Sequence, residues 1–267
     1  MNKIDGAISQ FQSMDSMAKE DRWMNQIHPS IKLFLTVLFI GLTVSFPKYN
    51  LTGLFGMILY PFVLFQIGEL SFRESLYRLR VVLPIVCIVG IANPFFDRAV
   101  VTRIGEIGVT GGVLSMLTLM LKAVLSVLAS YLLIVTTSIE KICYALQQAH
   151  FPQILVTEVL LIYRYISVLL AETRRVTQAY HLRAPGQKGI AIGTWGPLVG
   201  QMLLRSMDRA ERLYQSMCLR GFDGTFHLKE KSHVRRTDIL YLLIWTALLL
   251  ILRLFPVLEW VGRWFVR

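Results

Sequence analysis

Charged residues are scarce in this chain of 267 residues, since Asp, Glu, Lys and Arg make up only 17% of it. Soluble domains carry about 25% charged residues. Hydrophobic residues make up 54% of the sequence, and the mean hydropathy is +0.54. Too few polar groups remain to cover a water-exposed surface on all sides. The composition therefore excludes an ordinary soluble domain and predicts an integral membrane protein.

Acidic residues are the scarcer charged class, with 17 Asp and Glu against 28 Lys and Arg, which gives a formal net charge of +11. Such an excess occurs in nucleic-acid-binding proteins. It also occurs in membrane proteins, whose cytoplasmic loops are enriched in Lys and Arg. The high hydropathy favours the second explanation, and no sheet with interleaved aromatic and basic residues is indicated. We expect a lipid bilayer around the chain and no nucleic acid as a partner.

Residues that build metal and catalytic sites are few and scattered. The three cysteines form no Cys-x-x-Cys pair, and no two of the five histidines are four residues apart. The sequence also lacks the Gly-x-Ser-x-Gly, His-Glu-x-x-His and Walker A motifs. We therefore expect no catalytic residue, no cofactor site and no metal site in this chain. If the protein takes part in active transport, the nucleotide chemistry has to come from another subunit.

Five apolar runs predict transmembrane helices, so the expected fold is an all-α integral membrane protein with about five spans. A helix needs roughly 20 apolar residues to cross the hydrocarbon core, and flanking aromatic and Lys residues extend or anchor the shorter runs. The predicted spans are Ile31–Phe46, Leu51–Ile67, Val81–Phe96, Val113–Val135 and a fifth that begins after Asp238 and passes through Leu252.

The distribution of Lys and Arg predicts the orientation of the chain. The segment 138–237 is rich in both, and three arginines lie between the second and third spans. Because basic residues mark the cytoplasmic side, the N-terminus and this segment are predicted to be cytoplasmic. We divide the chain into the N-terminal segment with spans one to four (1–137), a cytoplasmic module (138–237) and a C-terminal span (238–267).

The cytoplasmic module is predicted to contain three helices, Ile139–Gln148, Gln153–His181 and Pro197–Leu219. The first half of the second helix is apolar enough to resemble a sixth span. Glu158 and Arg164 lie inside that half, however, and a charge at the bilayer centre costs about 3 kcal/mol. We therefore favour a helix that lies under or partly within the bundle. The third helix is amphipathic and needs a surface to pack against.

Lys122 is the one ionisable residue inside a clearly defined span. A lysine there can serve the packing of the bundle or extend its ammonium group to an interface. An intramembrane charge can also mark an ion pathway. The sequence identifies no carboxylate partner, so both interpretations stay open and Lys122 is not assigned to a site.

The second and third helices of the module end on the same pattern, Leu-Arg followed by a small residue. An arginine at a helix C-terminus complements the negative end of the helix dipole, and its guanidinium group can bind a partner carboxylate through two hydrogen bonds. A capping arginine before a helix-stopping Gly or Pro gives the same pattern without any partner. Because the pattern occurs twice in one module, it favours docking on a partner and simple helix capping equally. The candidate residues are Leu182, Arg183 and Ala184 at the first end and Leu219, Arg220 and Gly221 at the second.

Three stretches of the sequence resemble the transmembrane T component of energy-coupling factor transporters, a family that includes the Q-type subunits of cobalt transporters. They are Asp21–Lys32, Asn93–Arg98 and Arg209–Gly224. The third is the most specific, because it is close to the second coupling motif of that family. The resemblance extends over nearly the whole chain.

The resemblance implies a coupling scaffold without catalysis of its own. In that family, an arginine at the end of each of two coupling helices docks on one of two ABC-type ATPase subunits, which bind ATP and Mg. By position these arginines are Arg183 and Arg220. The usual triplet is Ala-Arg-Gly, whereas this chain has Leu-Arg-Ala, followed by Pro185, and Leu-Arg-Gly.

The resemblance also implies the rest of the assembly. A separate membrane subunit, the S component, binds a vitamin or a cobalt or nickel ion, and the complex lies in the bacterial cell (inner) membrane. The alternative function is that of a stand-alone secondary carrier or channel with Lys122 or Glu158 in its pathway. A membrane-anchored enzyme is disfavoured because the sequence has no catalytic cluster.

Overall fold

The computed structural model describes residues 6, 23–68, 83–84, 86–88, 90–91, 93–94, 100–104, 107–187, 189–224, 226 and 234–254, with the backbone alone at 100–104 and 107–109. These residues are mostly helical, as the sequence predicts, and two short strands are added. The helices are α1 (Trp23–Gln26), α2 (Pro29–Val44), α3 (Leu51–Met57), α4 (Leu59–Ile67), α5 (Gly111–Thr136), α6 (Ile139–Gln148), α7 (Gln153–Arg183), α8 (Ile192–Cys218) and α9 (Arg236–Leu254), and the strands are β1 (Val100–Ile104) and β2 (Ile107–Thr110).

Four of the five predicted spans correspond to described helices. α2 and α5 match the first and fourth spans to within two residues at each end, and α3 and α4, which only Ile58 separates, cover the second. α9 covers the described part of the fifth. The third predicted span, Val81–Phe96, lies largely outside the described residues, although its described positions are helical. α5, α7 and α9 are long and apolar enough to cross a bilayer, and α2 and the pair α3–α4 are shorter apolar helices.

The two strands form an antiparallel ribbon that the sequence prediction did not include. Ile104 pairs with Ile107 near the turn, Val100 pairs with Thr110 at the open end, and the register is irregular between Val100 and Thr102. β2 ends at Thr110 and α5 begins at Gly111, so the ribbon leads directly into an apolar helix of 26 residues that is long enough to cross a bilayer.

The described residues form two compact units. The first, which we call the membrane unit, contains 23–138 and 234–254, and α2 packs in it against α5 and α9. Its core is aromatic at the centre: the rings of Phe39 and Tyr60 stack with centroids 4.5 Å apart, and Trp245 meets Tyr60 edge-on at 4.9 Å. Leu35 and Leu125 are fully buried in the same cluster. Stacked and edge-on rings are favourable arrangements and tie three helices together.

The second unit, which we call the coupling module, contains α6, α7 and α8 within residues 139–226. α6 packs on α7, and α7 contacts α8. Cys143 and Ala145 of α6 and Val156 and Thr157 of α7 are buried, whereas α8 has no buried residue. The module therefore has a small core and exposes many apolar side chains, as expected of a surface that other molecules cover.

α8 begins earlier than predicted. The sequence favours Pro197 as the first helical residue, because proline suits that position. The observed helix begins at Ile192 and carries Pro197 inside it. A proline at this point removes one hydrogen bond, to the carbonyl of Gly193, without ending the helix. The predicted bounds of α7 are also nearly right, since the helix extends two residues past His181 and stops before Pro185.

Candidate docking site

The first Leu-Arg pair lies in the last turn of α7. Arg183 is the last helical residue, and the N–H of Ala184 donates to the carbonyl of Tyr180 across 3.0 Å. Gly186 has a φ of +103°, a left-handed conformation that glycine adopts at little cost and that turns the chain. Leu182 is 83% exposed, and Arg183 is exposed as well. The end of α7 thus presents an apolar and a cationic side chain to solvent.

The second Leu-Arg pair follows the last turn of α8. The N–H of Phe222 donates to the carbonyl of Met217 across 3.0 Å, and Gly221 has a φ of +82°. This is the Schellman arrangement, in which a left-handed residue closes the helix. A residue with a side chain would be strained in this left-handed conformation. This explains why the third residue of the triplet is glycine. Leu219 is 90% exposed, and Arg220 is exposed too.

Both arginines are exposed at the surface of the module. Within the described part of the chain, no carboxylate lies within 4.0 Å of Arg183 or Arg220. Their charges lie at negative helix ends, where a cation is favourable. Arginine is also enriched at protein–protein interfaces, since its planar group binds carboxylates through paired hydrogen bonds. The predicted residues therefore form two chemically similar, exposed helix ends.

A groove of about 670 Å³ lies between α7 and α8. Its walls are mostly apolar and include Leu161 and Ile162 of α7 and Leu213 of α8. Glu158, which the carrier alternative would place in a pathway, lines this groove, and so does the oppositely charged Arg209. The groove could not be predicted from the sequence, because periodicity identifies the apolar faces of helices but not how far apart two helices lie.

Lys122 lies against the C-terminal end of α2. Its Nζ donates to the carbonyl of Val44 across 2.9 Å and to that of Phe46 across 2.6 Å. Arg253 joins it from α9, with Nη2 donating to the carbonyl of Ser45 across 3.1 Å. The last carbonyls of a helix have no partner inside the helix, so two cations satisfy them here. These contacts support the structural interpretation of Lys122.

The cysteines lie in different surroundings. Cys143 is buried in α6, and this burial, reinforced by the negative charge of Glu140, raises the pKa of its thiol. Cys218 is exposed at the end of α8. No group of three His, Cys, Asp or Glu side chains that could hold a metal ion occurs among the described residues.

Two further contacts of the coupling module join residues that sequence reasoning missed. Arg205 Nη1 lies 2.8 Å from Glu172 Oε1, and Gln147 Nε2 donates to the carbonyl of Phe226 across 2.9 Å. The partners are 33 and 79 residues apart in the sequence. An acidic residue on α7 and a basic one on α8 are each visible in the sequence, but nothing in either pattern pairs them.

The apolar helices, the aromatic core that joins them and the exposed coupling module define a multi-pass, mostly helical membrane protein. The model of the cobalt transport protein family CbiQ matches residues 20–234, and the chain belongs to that family. The resemblance found in the sequence is thereby confirmed. The protein is a component of a membrane transporter that works with other subunits.

Two relatives extend the comparison. An uncharacterized protein of Methanocaldococcus jannaschii, MJ1571, is 26% identical over 244 residues, which cover 85% of this chain and 82% of the relative. A putative fused cobalt transport protein, CbiMQ, of Methanocorpusculum labreanum is 28% identical over 127 residues, 45% of this chain and 20% of the relative. The match therefore spans most of the first protein and a fifth of the second.

Proposed function

We propose that this chain is the transmembrane coupling subunit of an energy-coupling factor importer, an ABC-type transporter. Two ATPase subunits, which bind ATP and Mg, dock at the triplets that contain Arg183 and Arg220. A substrate-binding membrane subunit completes the complex. The observation that carries the proposal is the exposure of two Leu-Arg pairs at the C-terminal ends of α7 and α8. Membership of the CbiQ family supports it.

Each helix end can bind an ATPase subunit through one apolar contact and one ionic contact. Leu182 and Leu219 are almost fully exposed, and burying a leucine contributes about 2 kcal/mol. The neighbouring arginine can form paired, charge-assisted hydrogen bonds with a carboxylate on the ATPase. An apolar anchor beside a directional ionic one fixes both the position and the orientation of the partner. The role of these residues is mechanical, and ATP hydrolysis belongs to the partner subunits.

Long helices suit the transmission of movement. α7 has 31 residues and α8 has 27, which correspond to about 46 Å and about 40 Å of helix. When the two ATPases close on ATP, they displace the docked helix ends relative to each other. The exposed apolar residues of these helices, among them Ile154, Ile162 and Leu204, offer a surface to the substrate-binding subunit. That subunit then receives the movement and releases its cargo inside the cell.

The proposed cargo is cobalt(II), since the family takes its description from cobalt transport. A nickel ion or a vitamin is the alternative cargo, because in this kind of complex the substrate-binding subunit selects it. The complex lies in the cell membrane, with the N-terminus and the coupling module in the cytoplasm. The concentration of Lys and Arg in 138–237 supports this orientation.

Purification in mild detergent from native membranes tests the proposal, with the companions identified by mass spectrometry. We expect two ATPase subunits and a small membrane protein. After reconstitution in liposomes, this complex should take up cobalt(II) only when ATP is supplied. If the chain purifies alone and moves solute across liposomes without an ATPase, it is a stand-alone carrier and the proposal is wrong.

A further inference from the structure

An ionic contact joins the two long helices of the coupling module. Arg205 of α8 and Glu172 of α7 approach to 2.8 Å between Nη1 and Oε1. The Glu172 side chain is only 16% exposed, whereas that of Arg205 is 54% exposed. A distance of this length is typical of a strong, charge-assisted hydrogen bond. The covered carboxylate therefore has a directional partner on the neighbouring helix.

The same carboxylate also meets a cation on its own helix. Arg175 Nη1 lies 3.9 Å from Glu172 Oε2, one turn further along α7. Next to the ionic contact, Thr173 Oγ1 approaches the sulfur of Met202 to 4.0 Å. These contacts join the two helices through side chains at 172–173 of α7 and 202–205 of α8.

These contacts lie between the groove and the connection of the two helices. The groove is lined by residues 154–169 of α7 and 206–217 of α8, on one side of the ionic contact. On the other side, residues 184–191 join the helices. Glu172 is eleven residues from Arg183, or about 16 Å of helix, and Arg205 is thirteen residues from the end of α8, or about 20 Å. Both docking ends are therefore distant from the contact.

We propose that Glu172 and Arg205 are positioning residues that hold α7 and α8 together at this contact, so that displacement of the docked ends changes the groove instead of being lost as sliding between α7 and α8. This inference rests on the proposed function. A partly exposed ion pair adds little to folding stability. A bond with a fixed direction and length nevertheless keeps the two helices in register.

The test uses the reconstituted complex with its ATPases and substrate-binding subunit, and it measures cobalt(II) uptake per ATP hydrolysed. Glu172→Gln and Arg205→Gln should retain the ATPases and their ATP hydrolysis, while uptake per ATP falls about fivefold, the size of effect expected from a coupling of about 1 kcal/mol. Arg175→Gln is the matched control, because it removes a cation from the same carboxylate without touching the interhelical bond. The cobalt(II) uptake per ATP hydrolysed of Arg175→Gln should stay at the wild-type value.

Two further variants separate a positioning role from a general loss of structure. The double variant Glu172→Gln/Arg205→Gln should be no worse than either single variant, because both remove one shared interaction. The exchange Glu172→Arg/Arg205→Glu should recover part of the uptake. Unchanged uptake per ATP in the single variants, additive losses in the double variant, or an equal loss in Arg175→Gln would overturn the inference.

The experiment distinguishes failure of this inference from failure of the proposed function. If the wild-type chain binds no ATPase, the coupling role itself is wrong. If the wild-type complex couples ATP hydrolysis to uptake and the ion-pair variants do so equally well, only the positioning role of Glu172 and Arg205 is lost.

Discussion

The side-chain amide of Gln147 donates to the carbonyl of Phe226 across 2.9 Å, which fastens the chain just beyond the second Leu-Arg-Gly triplet to α6. The ring of Phe226 also lies 5.1 Å from that of Phe222, the residue whose N–H closes α8. α6 in turn follows α5 after only two residues. A displacement of Arg220 is therefore transmitted to α6 through this short chain of contacts, in addition to the longer path through the body of α8.

Replacing Gln147 should loosen this route without unfolding the module. A typical hydrogen bond contributes about 1 kcal/mol, so Gln147→Ala should speed amide hydrogen exchange over 219–226 by about fivefold. Gln148→Ala is the control, because Gln148 Nε2 bonds to the hydroxyl of Tyr144 on its own helix. Equal exchange in both variants would mean that the bond to Phe226 does not hold this segment.

Gly221 should tolerate substitution poorly although its surroundings are open. A Cβ added there meets no atom within 4 Å, so the cost comes only from the φ of +82°. We expect Gly221→Ala to destabilise the end of α8 by about 1 to 2 kcal/mol. Gly200→Ala, in the body of the same helix and equally uncrowded, should be neutral or stabilise it by about 0.5 to 1 kcal/mol.

The two glycine variants are compared by thermal unfolding in detergent and by recovery of the ATPases. Gly221→Ala should lower both the midpoint of unfolding and the ATPase recovery, because it redirects the chain at Arg220. A Gly221→Ala protein that behaves like Gly200→Ala would show that the Schellman closure does not set the position of the arginine.

Lys122 should matter for stability and not for ion passage. Lys122→Met leaves the carbonyls of Val44 and Phe46 without their lysine donor, and hydrogen bonds to a charged group contribute about 1.5 to 3 kcal/mol. The midpoint of thermal unfolding should fall, while cobalt(II) uptake per folded complex stays close to wild type. Lys122→Arg keeps the positive charge and should lower the midpoint of unfolding less than Lys122→Met does. Abolished uptake with unchanged thermal stability would instead place Lys122 in a pathway.

Cys143 and Cys218 should react with maleimides at very different rates. Maleimides react with the thiolate, and burial, together with the charge of Glu140, raises the pKa of Cys143. A raised pKa means a smaller thiolate fraction at any given pH, so Cys143 should stay largely unmodified near pH 7 while the exposed Cys218 reacts. Peptide mass spectrometry after a timed reaction measures this. Rapid labelling of Cys143 before denaturation would contradict its burial in α6.

The membrane helices could be predicted from the sequence because their signal is local. The run Val113–Val135 becomes α5 with two residues added at its start and one at its end, since the run contains neither Pro nor Gly. The triplets around Arg183 and Arg220 were found for the same reason: the helix-ending Pro and Gly are adjacent to them in the chain. Whether the triplets dock on partners remains a prediction.

Other features have weaker signals in the sequence or depend on residues that are distant in the sequence. The ribbon of β1 and β2 has a local signal in the β-branched residues of Val100–Ile104 and Ile107–Thr110 on either side of a two-residue connection. The pairing of Glu172 with Arg205 has no such signal, because helical periodicity fixes which residues share a face and leaves the partner face open.

In the proposed function, two exposed arginines hold two ATPase subunits. Native mass spectrometry of the detergent-extracted complex tests it most directly, with wild type, Arg183→Glu/Arg220→Glu and the control Arg212→Glu, which reverses an exposed charge in the body of α8. We expect two ATPases bound to wild type and to the control, and none bound to the double variant at an equal yield of folded protein. A double variant that still carries two ATPases would contradict it.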